Sequence, residues 1–315
     1  MGVCQGVRMT NKQGFGEWFG MMGRYWAGLD RTGIGNVQWR WRPALVAWAF
    51  IAAVYLLGWG DGTVSAFRYL AEPYPLPARS DANVAGMIGG WVTVEIPVIV
   101  LSLAGIWLFR QRIRAQPVRA GWARQLRTFF VAFWATAAGF VGLWFVGLAF
   151  GQSSSGFPPQ DVTGDIMPAL NVLDFMMAGP TEELALLALV VVALRSTGHS
   201  WWVVAAACVL VRVPFHMYYG WGALAMLVWP VLLMLLYRRT NAIAAIIAQH
   251  AVWNWAGMMP VDLNVSVKIT VLLIGLVIFF YTFYRDDQRA TAMSVAADTR
   301  TMRVAFARMG EGDTF

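Results

Sequence analysis

Residues 172–194 read Val-Leu-Asp-Phe-Met-Met-Ala-Gly-Pro-Thr-Glu-Glu-Leu-Ala-Leu-Leu-Ala-Leu-Val-Val-Val-Ala-Leu, an apolar run carrying Asp174 and, near its middle, Gly179-Pro180-Thr181-Glu182-Glu183. A helix needs about 20 mostly apolar residues to cross the hydrocarbon core of a bilayer. The stretch therefore reads as a membrane span with carboxylates at mid-depth. Seven more windows approach or meet that length, near 43–60, 84–109, 128–151, 201–221, 222–237, 241–259 and 267–284. Pro214, Gly220 and Gly222 blur the turn between the fifth and sixth. The predicted fold class is all-α, a polytopic integral membrane protein with about eight transmembrane helices.

Composition agrees. Of 315 residues, 58% are hydrophobic and 13% charged, whereas soluble domains average about 45–50% apolar and about 25% charged. An ordinary water-soluble enzyme is excluded on this ground. The formal charge of +7 comes from 24 Lys+Arg against 17 Asp+Glu. Too few polar residues remain to build a charged nucleic-acid face, so no nucleic-acid partner is expected, and the surplus is better explained by membrane orientation. Basic residues fall in alternate connections: Arg8 to Arg42 at the N-terminus, Arg110 to Arg127 after the second window, Arg195 after the fourth, Arg238 and Arg239 after the sixth, and Arg285 to Arg308 after the eighth. The remaining connections are acidic or nearly neutral, with Asp61, Arg68, Glu72, Arg79 and Asp81 in the first of them. This pattern predicts a multi-pass protein of the cell membrane with both termini cytoplasmic.

Three regions follow: a cytoplasmic N-terminal segment over 1–42, a transmembrane domain over 43–284 and a cytoplasmic tail over 285–315. Phe15, Trp18, Phe19, Met22, Tyr25, Trp26 and Leu29 have helical spacing, which fits an interfacial amphipathic helix or a partly ordered tail. No cleavable signal peptide is expected, since the first long apolar run begins well after residue 30. Gly86 and Gly90 form a GxxxG pair of the kind that marks close helix packing. Cys4 and Cys208 support neither a disulfide framework nor a thiolate metal cluster.

Ionisable residues inside spans are costly unless paired or facing a water-filled cavity. Here they are Glu95, Asp174, Glu182, Glu183, Arg212, His216 and His250, with Asn254 as an uncharged companion. Arg212 is the one basic residue placed firmly inside a span. Pro180 removes an amide donor, so Thr181 is expected to cap a restarted helix with both glutamates in its first turn. Two adjacent carboxylates in low dielectric do not both ionise easily unless a cation is near. The pair suits general acid/base work or a structural ion pair with Arg212. His250 and Asn254, four apart, share one helix face. Taken singly, His250 also reads as a packing residue and His216 as an interfacial histidine beside Tyr218 and Tyr219. Glu95 and Asp174 either line the same cavity or pair with backbone and Tyr partners.

An acidic pair on one helix, a His on the next and HxxxN on a later one resemble the signature of the CPBP family of CAAX proteases and bacteriocin-processing enzymes, also called the Abi family. The resemblance covers about residues 170–260. It implies an intramembrane endopeptidase acting on a membrane-associated peptide or protein within membrane lipid. Glu182 would be the base that activates water, Glu183 would tune or orient it, His216 would help activate the water, and His250 with Asn254 would stabilise the oxyanion. Family members are often named metalloproteases, and zinc on Glu182, His216 and His250 is the alternative to metal-free water activation. No HExxH motif is present, and Asn254 suits an oxyanion hole better than a zinc site.

Two positions depart from the family pattern. The first motif usually reads EExxxR, and Leu187 stands at its last position; Arg212 stands where the second motif usually has an aromatic, four residues before His216. These could be one change, with Arg212 supplying the cation for the glutamate pair from the fifth span. The loop charges open the site towards the outer leaflet or deeper in the membrane, which argues against carrying over a prenylated cytosolic substrate. Two rivals are a proton-coupled transporter with a relay through Glu182, Glu183, Arg212 and His250, and a non-catalytic immunity or scaffold relative.

Overall fold

Helix α1 (Trp41–Ala71) is the first of eight consecutive helical segments in a computed structural model that describes residues 39–72, 74, 76–113, 121–151, 160–278 and 281. The others are α2 (Asp81–Arg110), α3 (Trp122–Ala149), α4 (Met167–Ser196), α5 (Trp201–Arg212), α6 (Pro214–Thr240), α7 (Ile243–Gly257) and α8 (Val261–Ile278). Six of them, all but α5 and α7, are long and apolar enough to cross a membrane. The chain is an all-α, multi-pass membrane protein. Among the described residues the sole β feature is an isolated bridge between Arg79 and Val162. The N-terminal aromatic stripe and the tail from Arg285 lie outside the described residues.

Helix α4 is the centre of the bundle: 83% of its apolar window is buried, against 22–28% in α1, α2 and α3. Leu184 to Leu194 are apolar on every side, which suits a helix enclosed by protein all round. The outer helices turn large apolar side chains such as Leu45, Trp107 and Phe145 outward, as a lipid-facing surface requires.

Neither α2 nor α4 is a uniform α-helix. Trp91–Glu95 in α2 and Glu183–Leu189 in α4 are π-helical. The restart expected at Pro180 does not occur. The α-helical part of α4 runs through Pro180 to Glu182 and passes directly into the π turn, and the Thr181 hydroxyl donates to the Met177 carbonyl at 2.7 Å instead of capping.

The boundary between the fifth and sixth windows also moves. Helix α5 ends at Arg212 and α6 begins at Pro214 with a 3-10 stretch to Leu227, interrupted by Gly220 at φ 73°, ψ −160°. Twelve residues of α-helix reach about 18 Å, short of an apolar core about 30 Å thick. His216 therefore stands at the buried joint between α5 and α6, not near the outer end of a long fifth span. Helix α8 starts six residues earlier than the 267–284 window, placing Lys268 well inside it, with its ammonium 4.3 Å from the Trp253 ring centre. Arg212 is thus not the sole cation within the spans.

The bundle has two chemically distinct ends. At one, the Arg40 amide donates to the Thr197 carbonyl at 3.3 Å, and the Arg195 and Arg238 guanidinium groups lie over the Trp201 ring. At the other, Asp81 accepts from the backbone amides of Asp165, Ile166 and Met167 and so satisfies the open N-terminus of α4.

Candidate functional site

The π turn of α4 sets Glu182 and Glu183 side by side and sends them to different surroundings. Glu183 is fully buried and its Oε1 accepts two bonds, from Arg212 Nη1 at 2.9 Å and from His250 Nδ1 at 2.8 Å. One carboxylate oxygen thereby ties α4, α5 and α7 together. Arg212 is 1% exposed, and its guanidinium also lies 4.7 Å from the Trp229 ring centre. Leu187, where the family pattern carries arginine, packs in the apolar core. The cation expected from the fifth helix is in hydrogen-bond contact with Glu183.

Close approach of α4 and α7 makes this possible. A Cβ placed on Gly179 would lie 2.8 Å from the Ile247 carbonyl oxygen and 3.0 Å from the Ala251 nitrogen. The small residue lets the backbones meet one turn from Glu183. Asn254, a turn beyond His250, donates to the Phe175 carbonyl of α4 at 3.0 Å. One of its two amide protons is thus committed to holding the helices together.

His216 is buried, and its Nδ1 donates to the Arg212 carbonyl at 2.8 Å. That leaves Nε2 as the acceptor of a neutral ring. His216 and His250 both place their rings 5.9 Å from Trp229, edge to face. Trp229 Nε1 donates to Thr136 Oγ1 at 3.1 Å, and Thr136 Oγ1 donates to Gln249 Oε1 at 3.3 Å. Trp229, Thr136 and Gln249 were not expected from sequence. One tryptophan among 17 in an apolar chain carries no mark of such a position.

Glu182 is 8% exposed, its Oε2 is buried without a hydrogen-bond partner, and it lines a cavity of ≈ 690 Å³. Glu183, His216, His250 and Asn254 are not among its lining residues. Glu95 and Asp174 also line it, and so do Arg79 and Gln160 from the acidic end. Among the described residues Asp174 is held by side chains rather than by backbone or Tyr: Arg79 Nη1 donates to its Oδ2 at 2.8 Å and Trp91 Nε1 to its Oδ1 at 2.7 Å. Gly86 and Gly90 line the cavity too, and a Cβ on either would meet nothing within 4 Å. The GxxxG pair does not mark close packing; it leaves room.

Among the described residues no three His, Cys, Asp or Glu side chains are grouped to hold a metal ion. Each histidine's Nδ1 is bonded within the protein and both rings pack edge to face on Trp229, which fixes their orientation and leaves Nε2 as the nitrogen for other chemistry. What the arrangement offers is one carboxylate on a cavity wall, with two oriented imidazoles and an amide on α6 and α7.

No curated protein and no solved structure matches the chain. The family model described as type II CAAX prenyl endopeptidase Rce1-like matches residues 165–256. That span holds Glu182, Glu183, Arg212, His216, His250 and Asn254 and omits α1, α2 and α3. The chain thus carries an Rce1-like domain, of the CPBP family, over residues 165–256.

Proposed function

We propose that the protein is an intramembrane endopeptidase that hydrolyses a peptide bond of a membrane-associated substrate with water activated by Glu182. The observation that carries the reading is the division of labour in the glutamate pair. Glu183 is tied through Oε1 to Arg212 and His250 and does not line the cavity, while Glu182 lines it with its Oε2 unpartnered.

The Glu182 carboxylate takes a proton from water as the water oxygen bonds to the scissile carbonyl carbon. His216, with Nδ1–H held by the Arg212 carbonyl, presents Nε2 as a second acceptor for that water. His250 and the second amide proton of Asn254 receive the oxyanion. The Glu183 charge offsets the positive charge His250 carries when both ring nitrogens hold protons. Glu182 then passes its proton to the departing amide nitrogen as the C–N bond breaks. Glu183 and Arg212 position His250 and touch no reacting atom. The chain's own residues complete the proton balance.

The test is to incubate the purified protein and its Glu182→Gln variant with a membrane proteome and read new N-termini by mass spectrometry. Cleavage should fall at least about 100-fold in the variant, with an unchanged thermal unfolding midpoint. Equal cleavage by both proteins, or none by either, would favour a transporter or a non-catalytic relative of the family. A chelator added in parallel tests for a metal requirement.

A further inference from the structure

The charge balance of the cavity wall points to the class of substrate. Its titratable residues are Arg79, Glu95, Asp174 and Glu182. Arg79 and Asp174 cancel one another through their 2.8 Å ion pair. His250 and Arg212, both near enough to act on Glu182, are bonded to Glu183. Glu95 is left as the carboxylate of the wall with no compensating cation, close enough to Asp174 and Glu182 for their charges to act on it. In Glu95 and in Glu182, Oε2 is buried with no hydrogen-bond partner among the described residues. Glu95 comes from α2, outside the Rce1-like match, and closes the π turn Trp91–Glu95, an irregularity that recurs at functional sites.

We propose that Glu95 is a specificity-determining residue that receives a lysine or arginine side chain of the substrate next to the bond presented to Glu182. A cation between the two carboxylates offsets their mutual repulsion and fills the unmet acceptors with charge-assisted donors. A neutral side chain there would leave both acceptors dry, and an acidic one would add a third like charge. The inference rests on Glu182 being the base of the proposed endopeptidase. It adds a recognition element supplied by a helix that the family match does not include.

The probes are three apolar peptides, identical except for a central Lys, norleucine or Glu, offered to the full-length protein in lipid nanodiscs. Binding is read by fluorescence anisotropy and cleavage separately by mass spectrometry. The Lys peptide should bind about tenfold more tightly than the norleucine peptide, which is the low end of what one charge-assisted hydrogen bond supplies. Glu95→Gln should erase the difference, Glu95→Asp should keep it, and Glu95→Lys should turn the preference towards the Glu peptide. The two opposite variants guard against a change that merely disturbs folding. Equal binding of the three peptides by the native protein overturns the proposal, as does a Lys preference that survives in Glu95→Gln. Cleavage without charge preference defeats the recognition and leaves the endopeptidase standing. Charge-selective binding without cleavage defeats the endopeptidase and leaves the recognition.

Discussion

Adjacent glutamates on one helix would repel if they shared one environment, and here they do not. Glu183 has its charge met by Arg212 and His250 in a region closed to solvent. Removing one partner of a buried ion pair strands the other charge, at a cost of about 3–5 kcal/mol. Arg212→Met is therefore expected to lower the thermal unfolding midpoint sharply, and the double variant Arg212→Met with Glu183→Met to recover much of the loss. A fall in the double variant equal to the sum of the two single ones would show that the contact is energetically idle. Glu182→Gln, by contrast, changes a side chain on the cavity wall whose Oε2 has no hydrogen bond to lose. It should leave the midpoint unchanged while cleavage disappears.

At the scale of helices, the site depends on how closely α4 and α7 meet. Gly179→Val should force the backbones apart at Ile247 and Ala251, at a cost of about 1–3 kcal/mol for overpacking. It should also lengthen the bond between His250 and Glu183, so cleavage falls while Glu182 itself is untouched. Gly86→Ala, where a Cβ meets nothing within 4 Å, is expected to leave both stability and cleavage unchanged. Thermal unfolding and cleavage assays of the two variants side by side check this ranking. A tolerant Gly179 or an intolerant Gly86 would reverse the assignment of which glycine packs helices. The joint at Pro214 acts at the same scale. By ending α5 at Arg212 it turns both Arg212 and His216 towards α4 and Trp229.

For the whole molecule, the arginine-rich end and the cavity lie at opposite ends of the bundle. Arg40, Arg195 and Arg238 mark one end; Arg79, Asp81 and Asp165 mark the other, where Gln160 lies on the cavity wall. If basic connections face the cytoplasm, the cavity is approached from the other side. In a background with Cys4 replaced by serine, Gln160→Cys should react in intact cells with a membrane-impermeant thiol reagent, and Arg112→Cys should react only after permeabilisation. The buried Cys208 stays silent in both. The reverse labelling pattern would put the cavity on the cytoplasmic side and reopen a cytosolic substrate.

The eight apolar segments and the alternation of charge between them are properties of the chain itself. Hydropathy acts over lengths set by the bilayer, and Lys/Arg placement acts on each connection separately. The Rce1-like stretch was legible for a related reason: an acidic pair and an HxxxN turn are local patterns in an apolar background where ionisable groups are scarce. The tertiary structure decided what depends on distance between helices. It placed Arg212 on Glu183 and left Glu182 to the cavity, joined both histidines to Trp229, and set Glu95 and the Arg79–Asp174 pair on the same wall. It also replaced a capped restart at Pro180 by a π turn and moved the break between α5 and α6 to Pro214. Sequence spacing cannot report these, because the partners are far apart along the chain and meet only when packing sets the rotation and depth of each helix.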